Sequence, residues 1–344
     1  MSRTVIEVIA PGLSTTVQDL GRPGFARYGL APGGAADDFA LRAANLLVDN
    51  PPEAAAVEVT LLGPTLRFNS ATAIAVTGAD LAVSSDGRAL EGWRGRRVSA
   101  GQTLTFGRPV RGCRAYLAVH GGLEVSVSMG SRASDLRAGL GWGGGRALVA
   151  GDRLPVSGEN VPAGRLDALA LGLERLLPPG DRWPGEYVER ETVGASPGPQ
   201  EDHFAPAVID RFYTARFTVG AASDRMGLRL MGATVPPLKP DIVSDGLVAG
   251  AVQVPESGRP LCLLAGHQTT GGYPKIAVVG LAHQRVLGQR PPLAALSFFR
   301  TAQADLDAEA AAYLAVVRSW ESFRLGQTPS RVFSFSGGPL CRIE

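Results

Sequence analysis

Short apolar runs rich in Val, Leu, Ile, Thr and Phe recur along the chain, set apart by Gly and Pro. VIEVIA (Val5 to Ala10), TAIAVT (Thr72 to Thr77), TLTF (Thr103 to Phe106) and RAYLAV (Arg114 to Val119) are examples. Runs of this length between turn formers predict strands, and their close spacing predicts a mainly β, antiparallel protein with many turns. Helical periodicity stands out in three places. In ADDFALRAANLLVDNPP, the apolar Ala40, Leu41, Ala44, Leu47 and Val48 share one face. Asp37 is placed to cap the start, and Pro51 and Pro52 forbid continuation, so a helix is expected over 37–49. A second helical stretch, Leu166 to Leu177, reads as a connector, and a third, Asp305 to Trp320, precedes RVFSFSGGPLCRIE, which reads as a strand, a Gly-Gly turn and a strand.

These elements divide the chain into an N-terminal β lobe over 1–190, with its helix at 37–49 and a connector over 160–190. A C-terminal β lobe over 191–300 and a helical tail with a hairpin over 301–344 complete it. The tail is expected to pack on the body or on a partner. With 344 residues, 45% of them hydrophobic and only 19% charged, the chain can bury a large core. Its formal charge of +2 is too near neutral to attract nucleic acid or an anionic membrane in bulk. Any anionic ligand must therefore be held locally. No run approaches the roughly 20 apolar residues of a membrane span, and the N-terminal apolar stretch is too short for a signal-peptide core, so a cytoplasmic location is expected. Cys113, Cys262 and Cys341 are far apart and without CxxC spacing, which supports neither a disulfide framework nor a zinc site.

The standard catalytic signatures are missing: there is no GxxxxGK[ST] loop, GxSxG elbow or HExxH. The two lysines, Lys239 and Lys275, both lack the Met-Lys-Met setting of a biotinylated lysine, so no covalent biotin is expected. An amidase-type Ser-Ser-Lys arrangement is excluded as well, because no lysine precedes residue 239. His120, His203, His267 and His283 are isolated in sequence and read as structural residues rather than metal ligands. The tandem glycines of GWGGGR, Gly141 to Arg146, lack the following helix that a phosphate-binding loop needs.

Three polar clusters set in Gly-rich turns remain. In Thr15 to Phe39, Gln18, Asp19 and Arg22 crowd a stretch where backbone N–H groups can approach a ligand and an Arg fork can hold a carboxylate or phosphate. The competing reading is an Asp19–Arg22 pair that pins a loop. The second cluster, Ser223 to Leu230, carries Asp224 and Arg225. The third, Leu263 to Val279, reads as a β-hairpin whose tip presents Gln268, Thr269, Tyr273 and Lys275 around Gly271 and Gly272. The alternative there is a solvated loop.

The clusters sit within longer segments: TTVQDLGRPG (15–24), ANLLVDNP (44–51), VEVTLLGPTLRF (57–68), TGADL (77–81), GSRASDLRAGLGW (130–142), GRALVAGDRLP (145–155), PGPQ (197–200), SDRMGLRL (223–230) and QTTGGYPKIA (268–277). In this order the sequence resembles the C subunit of bacterial ATP-dependent 5-oxoprolinase, a family also called allophanate hydrolase subunit 2 or biotin-dependent carboxyltransferase. The resemblance implies a two-lobed, cyclophilin-like β-barrel architecture, a tight complex with a B subunit of related fold, and an A subunit that completes ATP-dependent opening of 5-oxo-L-proline to L-glutamate. ATP, with Mg as counter-ion, is the implied nucleotide, held here or by a partner. Relatives include the carboxyltransferase domain of urea carboxylase, which uses biotin in trans, and a non-catalytic antagonist of a kinase inhibitor. Both functions stand as alternatives. From residue type, Arg22, Arg225 and Lys275 supply positive charge for a carboxylate or phosphates. Gln18, Gln253 and Gln268, with Thr269 and Tyr273, hold the substrate, and Asp19 or Asp224 orients a cation or a water. The chain departs from the family pattern at Gly266, where Asp is expected, at His283, where an acidic residue is usual, and after it, where Pro-Gly is missing.

Overall fold

The computed structural model describes residues 4–158, 162–176 and 186–327. The first lobe is built from two antiparallel sheets. Five strands pair in the order Ser14–Gln18, Ala56–Thr60, Arg111–Val119, Thr72–Asp80 and Gly95–Val98. Six more pair in the order Arg153–Pro155, Val5–Ala10, Thr65–Phe68, Thr103–Thr105, Ser84–Ser85 and Arg88–Ala89. Alternation decides what each face does. Val57, Val59, Ile74, Val76, Leu117 and Val119 of the five-stranded sheet join Ile6, Val8, Leu66 and Phe68 of the other in one apolar cluster. The intervening residues face the rest of the protein. Ala73, Ala75 and Ala118 are small and admit a helix, α1 (Asp38–Leu47), against the sheet.

Helix α1 begins where Asp37 accepts a hydrogen bond from the Ala40 N–H at 3.0 Å. It ends before Asp49, whose φ of 61° leaves the helical region, and Pro51 and Pro52 follow. Eight of its ten residues are buried, because other helices cover the side away from the sheet. These are α2 (Ala163–Leu176) and, beyond the second lobe, α5 (Gln303–Arg324), which is longer at both ends than the sequence pattern suggests. The hairpin read over 331–344 and the connector residues 177–185 lie outside the described residues.

The second lobe is a closed seven-stranded barrel. Its order is Thr192–Pro197, Lys275–Val279, Ala251–Gln253, Leu261–Leu263, Gly227–Met231, Arg216–Val219 and Ala295–Arg300. The first and last strands meet in parallel and close it. Helix α3 (Pro206–Thr214) packs against the strand Ala295–Arg300, with Phe212 stacked on Phe298 at 4.6 Å. Helix α4 (Leu281–Gly288) packs on α5. The tail helix therefore packs on the body, touching α1 and α2 of one lobe and α4 of the other, with Trp320 against Phe39 at 5.0 Å.

The hairpin expected over Leu263 to Val279 does not form. Leu261–Leu263 and Lys275–Val279 both pair with Ala251–Gln253, which lies between them. The intervening residues cross over that strand, and Thr270–Gly271 pairs instead with Asp245–Gly246. The Gly-Gly dipeptide belongs to this crossover rather than to a two-residue turn. His283, where an acidic residue is usual, meets one across the fold: its Nε2 lies 2.9 Å from the Glu309 carboxylate on α5. Cys113 and Cys262 are buried and unpaired, and burial pushes the Cys262 thiol up to about 12.

Candidate functional site: an arginine-lined cleft between the lobes

The lobes meet along a seam that includes a buried polar stretch built around Glu58 and Arg225. Glu58 alternates with Val57 and Val59 and so leaves the strand on the face turned toward the barrel. It is buried, accepts from the Ala36 N–H at 3.0 Å and the Tyr116 hydroxyl at 2.8 Å, and pairs with Arg225 of the barrel. The Arg225 guanidinium also donates to the Gly34 carbonyl. Gly34 has φ +82°, and a Cβ there would lie 2.5 Å from the Gly21 nitrogen, so only glycine allows the two loops to come this close. Desolvation pushes Arg225 down to about 10, which leaves it cationic at neutral pH.

Beside this pair lies a cavity of about 400 Å³ lined from both lobes, by Thr60, Arg114, Ser134 and Asp135 on one side and Asp224, Arg225, Gly266 and Arg290 on the other. Arg114 and Arg290 are buried, and the Nε of each makes no hydrogen bond among the described residues. Burial also lowers the pKa of Arg290. A second cavity, of about 300 Å³, shares Asp135, Arg137 and Gly266 with the first and is completed by Gly29–Ala31 and His267–Thr270. The two are adjoining chambers of one cleft. Four arginines, Arg114, Arg137, Arg225 and Arg290, against the two carboxylates Asp135 and Asp224 give the first chamber the character of an anion site, whereas imidazole, amide and hydroxyl groups beside the shared Asp135 and Arg137 make the second a hydrogen-bonding site.

The structure separates the residues singled out from sequence. Gln18, Asp19 and Arg22 lie together behind the first chamber. Asp19 accepts from the Gly21 N–H, the Ser131 hydroxyl and the Arg132 N–H at 2.6–2.7 Å. Gln18 donates to the Ser134 carbonyl at 3.1 Å, and Arg22 to the Ala133 carbonyl at 2.5 Å. The three hold the 131–135 loop that forms a wall of the cleft. Arg22 does not pair with Asp19; its Nη1 lies 3.8 Å from Asp135 and close behind Gly33, where a Cβ would come within 3.3 Å of it. Asp224 and Arg225 line the first chamber, and Gln268 and Thr269 the second. Gln253, Tyr273 and Lys275 line neither. Gln253 is buried and donates to the Tyr273 carbonyl at 3.4 Å, and Tyr273 is exposed. Lys275 is buried and paired with Asp245 at 2.8 Å, and this ammonium holds the Asp245 carboxyl below its usual range. The glycines of 139–145 fold back on Asp135, and Arg146 pairs with Asp152 at 2.7 Å, so this run braces the cleft wall.

Glu58, Arg114, Asp135, Arg137, His267 and Arg290 were not singled out from sequence. A signal existed for two of them: Glu58 and Arg114 interrupt otherwise apolar strands. Among the described residues no group of three or more His, Cys, Asp or Glu is placed to hold a metal ion, and no helix is long and apolar enough to cross a membrane.

Comparison with known proteins agrees with this architecture. The carboxyltransferase domain model, subdomain A and B, matches residues 28–300. The chain is 40% identical over 289 residues to the C subunit of 5-oxoprolinase from Escherichia coli (strain K12), covering 83% of this chain and 88% of that protein. It is 34% identical over 276 residues to the C subunit of 5-oxoprolinase from Haemophilus influenzae, covering 80% and 84%. The crystal structure of Kluyveromyces lactis urea carboxylase superposes with a TM-score of 0.82 at 26% identity over 98% of this chain, which spans only 30% of that longer chain. The chain belongs to the carboxyltransferase domain family, subdomains A and B, and within it to the group formed by the C subunits of 5-oxoprolinase.

Proposed function

We propose that this chain is the C subunit of an ATP-dependent 5-oxoprolinase and supplies the interlobe cleft in which 5-oxo-L-proline is bound for opening to L-glutamate. The observation that carries the reading is the cleft itself, a chamber with Arg114, Arg225 and Arg290 adjoining one with His267, Gln268 and Thr269. 5-Oxoproline joins a carboxylate to a cyclic amide, and its activation brings phosphate to the amide oxygen. Arginines suit the anions, and the second chamber suits the amide. A lactam carbonyl is a poor electrophile; phosphorylation of its oxygen turns that oxygen into a leaving group. Such a transfer asks the protein chiefly for positioning and charge stabilisation.

In this reading Arg225, Gln268 and Thr269 touch substrate. Gln18, Asp19 and Arg22 position the cleft wall, and Gln253, Tyr273 and Lys275 support the crossover that carries Gln268. ATP enters with Mg as a substrate of the complex, and B and A subunits complete the activity, as the subunit names of the relatives suggest. A second reading, a carboxyltransferase component that receives carboxybiotin in trans, is favoured by the likeness to urea carboxylase.

Co-purification with candidate A and B subunits, followed by oxoproline-dependent ADP release, separates the two. The isolated chain is expected to be inactive and the complex active. Arg290→Met is expected to keep assembly and lower turnover at least about tenfold, the scale of one charge-assisted hydrogen bond. Biotin-dependent carboxyl transfer without oxoproline-dependent ADP release would select the second reading.

A further inference from the structure

His267, isolated in sequence, lines the second chamber next to Gln268 and Thr269. Its side chain is buried, and its Nδ1 lies 2.6 Å from the Gln268 carbonyl oxygen. A carbonyl oxygen only accepts, so Nδ1 carries the hydrogen and Nε2 presents a lone pair. Among the described residues nothing hydrogen-bonds to Nε2, although the atom is not sealed from solvent. Gln268, Thr269 and Thr270 cannot take up a proton near neutral pH. The charged side chains that line this chamber are Asp135 and Arg137, both on the first-lobe loop. On the barrel side, Arg225 offers only its backbone oxygen, which accepts from the Gly266 N–H at 2.9 Å. One oxygen of Asp135 already accepts from the Arg137 and Ala138 N–H groups, both at 3.0 Å.

We propose that His267 is a catalytic residue of this chain, the base that takes the ring N–H proton of the cyclic amide as its carbonyl oxygen is phosphorylated. The inference rests on the oxoprolinase reading. In the step, the lactam oxygen attacks the γ-phosphorus of ATP. The new O–P bond forms as the bond from phosphorus to the β–γ bridging oxygen breaks, and ADP leaves. The N–H bond breaks, its electron pair becomes the C=N bond of the ring, and the proton passes to Nε2. Removing that proton avoids building a cation beside Arg137. Desolvation lowers the His267 pKa, which keeps the imidazole in its neutral, proton-accepting form at pH 7.

The test is the pH dependence of oxoproline turnover in the reconstituted complex for wild type, His267→Gln, His267→Asn and Asp135→Asn. A base acts only when unprotonated, so wild-type kcat is expected to fall as pH drops through an apparent pKa below the usual 6.5 of histidine. His267→Gln is expected to lower kcat at least about 100-fold, with KM within about threefold, and to remove the acid limb. His267→Asn, which retains a donor for the Gln268 carbonyl, is expected to lose kcat equally while keeping the melting temperature and partner binding. A His267→Gln complex within about threefold of wild type, or one whose acid limb survives and is lost only in Asp135→Asn, overturns the assignment. An assembled wild-type complex without turnover overturns the oxoprolinase reading and takes this inference with it.

Discussion

The five-stranded sheet of the first lobe has two buried faces of opposite character. Toward the six-stranded sheet it presents Val17, Val57, Val59, Ile74, Leu117 and Val119, an aliphatic face that also takes in the hydroxyls of Thr15 and Thr72. Toward the barrel the same strands present Gln18, Glu58, Arg114 and Tyr116, each buried and most of them hydrogen-bonded. A one-residue step along the chain, from Val57 to Glu58, crosses from one to the other. The apolar face needs only shape and area, worth about 1.5–3 kcal/mol per large side chain. The polar face desolvates charges at several kcal/mol each, and such groups persist where geometry returns most of that cost. The comparison teaches that stability and chemistry are assigned to opposite sides of one sheet, so they should separate under mutation.

Glu58→Ala strikes the polar face hardest. It leaves Arg225 without its buried counter-charge and takes away the acceptor of the Tyr116 hydroxyl and of the Ala36 N–H. A loss of about 3–5 kcal/mol in chemical denaturation is expected, together with loss of ligand binding. A cost under about 1 kcal/mol would show that the seam is hydrated and loosely coupled. Leu117→Ala addresses the dry face. It should cost about 3 kcal/mol by cavity formation, yet leave partner binding and turnover per folded molecule unchanged. A selective loss of turnover would mean that the two faces are mechanically linked.

The smallest expected effect is the pH response of Asp37, which caps α1 and accepts from the Tyr187 hydroxyl at 2.5 Å and the Gln289 amide at 2.7 Å. Burial raises its pKa from 3.8 to about 6. The folded state therefore holds this proton more tightly than the unfolded chain. Its contribution to stability is fully present below about pH 4 and is lost as pH rises through about 6. The loss is at most about 3 kcal/mol, from a shift of about two pH units. Compared at pH 4 and pH 7, Asp37→Asn should lack this decline, so its stability relative to wild type should improve with pH. A constant difference would place the titration elsewhere in the seam.

Much of the fold was legible because local chemistry carried it. The Asp37 cap and the Pro51–Pro52 stop frame α1, and the apolar runs at Val5, Thr72, Thr103 and Arg114 all lie in strands. What covers the second face of a strand is not local information. Glu58 and Arg114 therefore read as interruptions until the barrel is seen to meet them. The crossover over 264–274 was misread for a related reason. Gly271 and Gly272 look like a turn between two strands, and only the three-dimensional pairing reveals Ala251–Gln253 between them. His267 lacked a second ligand at any useful spacing, yet its partner is the adjacent backbone carbonyl, which no residue pattern encodes. The clustering of Gln18, Asp19 and Arg22 was visible, whereas their common grip on the 131–135 loop was not.

The parallel pairing that closes the barrel has a mechanical corollary. Arg300 lies opposite Ala195, three residues from the barrel's first residue at Thr192. At about 3.3 Å per residue, the chain thus enters and leaves the barrel at points roughly 10 Å apart. Two covalent crossings so close together act as one hinge. The orientation of the barrel against the first lobe is therefore set by the seam and by α5 rather than by two separated crossings. Joining those two points with a few flexible residues and opening the chain elsewhere would give a circular permutant whose barrel keeps every strand pair.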